Sequence, residues 1–478
     1  VWHRESNASP EYKHLQLNTT GAALTSSTVW NSTNPTDSVF SVGNYYNTNS
    51  SGVTYVAYLF AHNNADGEFG PDSDQDIIKC GSYTGVYAGA EVNLGWQPQW
   101  ILFKSASSAG NWYIFDAMRG IVTGGLSGDG DAALLPNTSG AENVNTFGID
   151  LTATGFITYG NNVAATNDMI YMAIRRGPLA PPEAGTEVFK VDAVNASAPY
   201  FTSGFPIDMA FYKSTAGSSG YVSSRLTGLT EGVLDTTAAF GSATAVGYDN
   251  MTGFLDAAPG SNYYSWMWKR APSFFDVVAY TGNGTAGHTV SHNLGVAPEM
   301  MWVKQRDTLR NWQVYHKLYG GTSRARLNTS DAFVSNISFW NNTDATSSVF
   351  TVGNDTEQNA SSGAYIAYLF ASLDGISKVG SYAGNDGTQT IDCGFTTGAR
   401  FILIKRSSGS GNWFVWDTAR GINVASDPFL TLNTTDAESS GQDEIDAHAS
   451  GFIINSPGGA GDAEINKSGS TYIFYAIA

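Results

Sequence analysis

The side chains able to carry chemistry are few, and most of them recur. Asp116 with Arg119 and Asp417 with Arg420 form the same Asp-x-x-Arg motif, inside the matching segments 110–120 and 411–421, which run from Gly-Asn-Trp to Arg-Gly. A carboxylate three residues before a guanidinium can act as an acid or hold a sugar hydroxyl. It can equally form an ion pair that pins a turn. Glycoside hydrolysis needs two carboxylates in one cleft about 5–10 Å apart, and no motif supplies the second one. Asp116–Arg119 and Asp417–Arg420 are therefore expected to be structural ion pairs, which fix register while adding little net stability.

Oxygen ligands for a hard cation gather in one stretch. Asp66, Asp72, Asp74 and Asp76 lie in the Gly-containing segment 63–76. Calcium takes six to eight oxygens, so this segment is a candidate calcium site, although it lacks the calcium-hand spacing. The alternative is a solvated acidic linker. Asp129 with Asp131 is a second, weaker case. No other cofactor is expected. His288 and His292 are four apart, a metal spacing only on a helix, and their Gly-rich surroundings predict strand or turn. His3 and His316 stand where the sister repeats carry Asp116 and Asp417, so a polar strand end is expected there rather than a catalytic imidazole.

Trp30 and Trp340 each precede Asn among Asn and Thr residues. They are the candidates for stacking on a sugar ring. Trp112, Trp312 and Trp413 are assigned to the core, because tryptophan buries a large area. Lys104, Lys213, Lys304 and Lys405 each end an apolar strand, where a structural partner is expected. Asn18, Asn328 and Asn433 sit in a recurring Leu-Asn-Thr sequon, read as turn chemistry. Cys80 and Cys393 are the only two cysteines. They are expected to be unpaired, since a large secreted chain usually carries more.

These residues are positioned by short β-runs of four to eight residues, rich in Val, Ile, Tyr, Phe, Trp and Thr, between Gly, Asn, Ser and Asp clusters. No long segment has helical period. The Lys-ended strand appears at 100–104, 209–213, 301–304 and 401–405, and a terminal aromatic strand at 55–61, 170–176, 263–270, 365–371 and 471–478. A super-repeat is plain as well: 110–120 matches 411–421, and 55–61 matches 365–371. The predicted fold is all-β, tandem β-sandwich (jelly-roll-like) modules of about 95 residues. A propeller blade is about half that length. The modules are 1–62 (the second half of a type 1 module), 77–176 (type 2), 186–271 (a divergent type 3), 274–372 (type 1) and 377–478 (type 2). Short linkers predict beads on a string with neighbouring modules held in a defined orientation, an extended or folded-back rod rather than one globule.

The 478 residues include 24 basic and 42 acidic ones, a formal charge of -18. Neutralising phosphates needs clustered Lys and Arg, so no nucleic-acid partner is expected. With 42% hydrophobic residues the chain can build a core, which excludes global disorder. No apolar run reaches the ~18 residues of a membrane helix, so no membrane insertion is expected. No basic segment followed by an apolar one opens the chain, so no signal peptide is expected. A start at Val1 rather than Met leads to the expectation of a cleaved or partial chain.

One set of motifs carries a family resemblance. Leu-Gly-Val-Ala-Pro-Glu-Met-Met-Trp-Val-Lys (294–304) is followed by Asn311-Trp312, Tyr315-His316 and Leu327-Asn328-Thr329-Ser330-Asp331-Ala332. Ser347 to Gly353, the joint Lys378-Val379-Gly380-Ser381-Tyr382 and the stretch Trp268 to Gly282 continue it. Over nearly its full length the chain resembles the tandem-repeat, tail-fibre-like structural virion proteins of marine tailed bacteriophages. That resemblance implies no catalytic residue. It implies a non-enzymatic tail fibre or appendage on the virion surface, spacing and presenting a host-surface contact. Its partners would be other virion proteins, further copies of itself (a homotrimer favoured) and a host-surface glycan. The alternatives are a capsid decoration protein and a secreted bacterial adhesin or carbohydrate-binding array.

Overall fold

A computed structural model of the chain describes the residues outside 7–8, 63–74, 88, 122, 124–130, 144–147, 160–165, 244, 249, 423–425 and 456–464. Nearly all its regular structure is antiparallel strand, and the α-helices among the described residues are single turns. The chain divides into two compact units, Val1–Leu179 and Ala180–Ala478.

The second unit holds three repeats of one plan. In the last of them the terminal strand Thr471–Ile477 lies between Ser377–Ala383 and Phe401–Arg406, antiparallel to both, and Trp413–Asp417 and Leu430–Thr431 follow outward. Gln389–Asp392, Gly451–Ile454 and Ile445–His448 form the opposite layer. Ile402, Ile404, Trp416 and Phe474 from one layer pack against Ile391, Phe452 and Ile454 from the other, giving a β-sandwich core. The preceding repeat orders Phe275–Thr281, Ala364–Phe370, Met300–Gln305, Gln313–His316, Ser323–Arg326 and Val334–Ser335 in the same way, opposite His288–Ser291 paired with Val349–Val352. The repeat before that orders Phe189–Ala193, Tyr263–Trp268, Met209–Ser214, Tyr221–Ser224, Thr230–Val233 and Gly241–Ser242, opposite Phe201–Thr202 paired with Gly253–Phe254.

The continuous apolar runs have a structural cause. In Thr471–Ile477 the side chains of Tyr472, Phe474 and Ala476 point into the sandwich, yet Ile473, Tyr475 and Ile477 are buried as well. Their face is covered by other repeats. Tyr475 lies 5.1 Å from Phe370, and Phe401 lies 5.3 Å from Phe189 and 5.6 Å from Trp268, between ring centres. A strand covered on both faces has no reason to alternate. The recurring Gly-Ser-Tyr is also explained. Gly380 pairs across from Phe474, and a Cβ there would clash with that ring. Gly81 stands in the same relation to Tyr171.

In the first unit, Ile78–Thr84, Asp168–Arg175, Pro98–Ser105 and Trp112–Asp116 repeat this sheet, opposite Ala90–Asn93, Gly155–Tyr159 and Gly148–Thr152. Residues 1–62 show one paired ladder among the described residues, Lys13–His14 with Leu24–Thr25.

Candidate functional site

The recurring polar residues converge on the joints between repeats. Each Lys-ended strand carries its lysine into full burial, and Lys104, Lys213, Lys304 and Lys405 are all 0% exposed. Each ammonium is held by main-chain carbonyls, one of which belongs to another repeat. Lys104 Nζ donates to Ser105 O at 2.9 Å and to Thr20 O at 3.3 Å. Lys304 Nζ donates to Gln305 O at 2.8 Å and to Thr237 O at 3.4 Å. Lys405 Nζ donates to Gly411 O at 2.7 Å and to Ser330 O at 3.0 Å. Lys213 Nζ donates to Ser218 O at 2.7 Å and to Thr434 O at 2.6 Å. Burial pushes Lys104, Lys304 and Lys405 down to about 8 and shifts Lys213 in the same direction. A buried ion lacking such dipoles would be far more costly.

Beside each of three lysines a tryptophan makes a second bond across the same joint. Trp112 Nε1 donates to Gln16 O at 3.0 Å, Trp312 Nε1 to Val233 O at 2.9 Å and Trp413 Nε1 to Arg326 O at 2.9 Å. These tryptophans are core residues, as expected. The carbonyls they reach all precede the leucine of a Leu-Asn-Thr, Leu-Asp-Thr or equivalent turn. The asparagine of the donor repeat's own turn holds the tryptophan in place. Asn328 Oδ1 accepts from Trp312 N at 3.0 Å while its Nδ2 donates to Asn311 Oδ1 at 3.0 Å. Asn433 does the same for Trp413 and Asn412, at 2.9 and 2.8 Å, and Asn137 for Trp112 and Asn111, at 2.9 and 2.8 Å. The Leu-Asn-Thr sequon is thus turn chemistry with a partner, the Asn of Asn-Trp.

The predicted ion pairs form. Arg119 Nε lies 2.7 Å from Asp116 Oδ2, and Arg420 Nε lies 2.7 Å from Asp417 Oδ2. In each, the other aspartate oxygen accepts from the arginine's main-chain N–H, at 2.8 and 2.9 Å. Each guanidinium also reaches a second carboxylate, Glu142 at 2.6 Å or Glu438 at 3.0 Å. Asp417 further accepts the indole N–H of Trp266, from a different repeat, at 3.1 Å. The guanidinium of Arg420 lies 5.3 Å from the centre of that indole.

Two expectations need correction. Trp340 is 1% exposed and packs edge-on against Tyr315 at 5.5 Å, so it has no free face for a sugar. The polar residue after it serves the backbone: Asn341 ends the helix Ile337–Trp340 in the left-handed conformation, at φ 54°, which Asn tolerates. Asn31 has φ 55° after Trp30, and Trp30 is half-buried with its N–H donated to Lys13 O at 2.9 Å. Nor are the second unit's repeats beads on a string, since the third of the five modules bonds directly to the fifth.

Of the calcium candidates, Asp66, Asp72 and Asp74 lie outside the described residues, as does Asp129. Asp76 lies 3.8 Å from Lys79, and Asp131 accepts Ile149 N at 2.6 Å. His288 and His292 sit on a strand and just beyond it, with separate partners: Asn359 Oδ1 at 3.2 Å and Thr346 O at 3.1 Å. Among the described residues no three His, Cys, Asp or Glu gather as a metal set. Cys80 and Cys393 are free thiols, pushed up by burial to about 11 and about 12.

The lysine partners were not visible in the sequence, because they are main-chain carbonyls. The available signal was the joint recurrence of a Lys-ended strand, Asn-Trp and the Leu-Asn-Thr turn. The family model described as Domain of unknown function (DUF7483) matches residues 1–178 and 245–478. No curated protein matches the chain.

Proposed function

The chain belongs to the DUF7483 family, and from that premise we propose that it is a non-enzymatic structural protein of a virion, a tail fibre or appendage that spaces and presents a host-surface contact. The observation that carries this reading is the use made of the recurring polar residues. The four strand-end lysines, the three Asn-Trp pairs and Asp417 are all spent on holding one repeat to another. Side chains committed in this way support the reading as a scaffold, and the resemblance of the repeats to tail-fibre-like virion proteins supports the choice of a virion surface for it. The proposed partners are other virion proteins, further copies of the chain and a host-surface glycan.

Immunogold microscopy with an antibody to the chain, on particles from a lysate, tests the reading. Gold on tails or their appendages is the expected result. Gold over the capsid would replace it with a decoration protein. Chain recovered from culture medium without particles would replace it with a secreted adhesin.

A further inference from the structure

One strand-end position recurs in every repeat and lies on the joints. In the register of the sheets Asp116 pairs with Trp100, Ser224 with Met209, His316 with Met300 and Asp417 with Phe401. Each of those partners stands four residues before a strand-end lysine. His3 holds the same place in the first repeat.

The histidines and aspartates share one task there. An acceptor atom takes a main-chain N–H of the turn that follows. His316 Nδ1 accepts from Leu318 N at 3.2 Å, His3 Nδ1 from Glu5 N at 3.2 Å and Asp116 Oδ1 from Met118 N at 3.0 Å. Asp417 Oδ1 accepts from Arg420 N at 2.9 Å. For this task an imidazole and a carboxylate are interchangeable.

Across the joint they are opposites. A main-chain N–H only donates, so a neutral imidazole that accepts at Nδ1 carries its proton on Nε2. His3 Nε2 lies 3.0 Å from Tyr171 O, and His316 has a main-chain bond at Gly380. Tyr171 pairs with Gly81, and Gly380 pairs with Phe474. Both imidazoles thus reach the same cross-strand pair of a type 2 repeat. Asp417 has no proton to give. Its Oδ2 accepts from Trp266 Nε1 of the type 3 repeat at 3.1 Å. Ser224 of that repeat faces the hydroxyl of Tyr368. Trp266 and Tyr368 occupy one place in their strands, two residues before Trp268 and Phe370.

We propose that this strand-end side chain selects which type of repeat sits beside it. A donor, His3 or His316, accepts a type 2 neighbour through a carbonyl. An acceptor, Asp417, accepts a type 3 neighbour through an indole N–H. Exchanging the two would set acceptor against acceptor in one buried joint and donor against donor in the other, and unpaired buried groups are what make such discrimination large.

The parent chain tests the donor. In the full chain labelled with 15N-histidine, NMR at neutral pH should show His316 and His3 neutral with the proton on Nε2. Each signal is identified by its loss in His316→Gln or His3→Gln. A proton on Nδ1 of His316, or a charged ring there, would overturn the proposal. A double-mutant cycle tests the acceptor, read as the unfolding equilibrium constant in urea. Asp417→His puts a donor against the indole N–H and should raise that constant by about a hundredfold. Trp266→Tyr supplies the residue found at 368, whose hydroxyl can accept. The double variant should be at least about tenfold more stable than the two single losses added together. Additive losses would show a strand end indifferent to its neighbour and would overturn the proposal. Where Asp417→His alone does not fold, a double variant that folds meets the expectation and one that does not fold overturns it.

Discussion

Lys213 Nζ donates to the carbonyl oxygen of Thr434 at 2.6 Å, across 221 positions of sequence. Lys304 joins the fourth repeat to the third, and Lys405 joins the fifth to the fourth. The Lys213 bond runs from the third to the fifth and closes the cycle. In an open array each repeat contacts only its neighbours and stability is a sum of local terms. In the closed set every repeat is held by two others, so loss at one joint is felt at all three.

Replacing Lys213 tests this closure. Lys213→Ala would leave the carbonyls of Ser218 and Thr434 without their donor and open a void in a fully buried site. The expected loss is about 2–4 kcal/mol. Lys213→Met fills the space without the donor and should lose less. Urea denaturation, followed by exchange of the amides in Tyr263–Trp268 and in Thr471–Ile477, should show both strands weakened together. Weakening confined to Tyr263–Trp268 would mean that the closure transmits nothing.

Trp266→Phe isolates one bond. The ring remains to cover Arg420, while Asp417 loses the indole donor and keeps Arg420. A buried carboxylate deprived of one donor should cost the second unit about 1–3 kcal/mol, read as a lower urea midpoint with an unchanged slope. An unchanged midpoint would show that the indole bond carries no stability.

The strands, the repeats and the two Asp-x-x-Arg pairs were legible because side-chain type and spacing encode them directly. The joints were not, for a physical reason: Lys405 and Trp413 bond to the carbonyls of Ser330 and Arg326, and every residue offers the same carbonyl whatever its side chain. Trp340 was misread because polar neighbours imply water, whereas Asn341 is there for its left-handed backbone. Residues 55–60 have the sequence of a strand, that of Tyr365–Phe370, yet pair with no strand among the described residues.

The asparagine clasp predicts a position-specific effect. Asn433→Ala removes the acceptor for Trp413 N and the donor to Asn412 Oδ1. A buried main-chain N–H left unpaired costs about 1–3 kcal/mol, so a loss of that size is expected. Asn18→Ala, at the exposed counterpart, should leave stability within about 0.5 kcal/mol of the parent. Equal losses at the two sites would contradict the assignment.

His316 gives the pH dependence of the second unit a definite sign. It ends the strand Gln313–His316, is 1% exposed, and its Nδ1 accepts from Leu318 N at 3.2 Å. Burial, assisted by the neighbouring charge of Lys317 and partly opposed by a main-chain bond at Gly380, holds its pKa down to about 3, from an ordinary value of 6.5. Between those two values the unfolded chain binds a proton that the folded chain refuses, so stability rises with pH across that window. The contribution is complete above pH 6.5 and is lost progressively as pH falls toward 3, by an amount on the order of a few kcal/mol in total. Burial lowers His292 of the same repeat in the same direction, so the parent curve contains both. The difference between parent and His316→Asn isolates His316. Urea midpoints measured from pH 7 to pH 4 should fall more steeply for the parent than for the variant, and parallel curves would show that the buried imidazole is not what acid attacks.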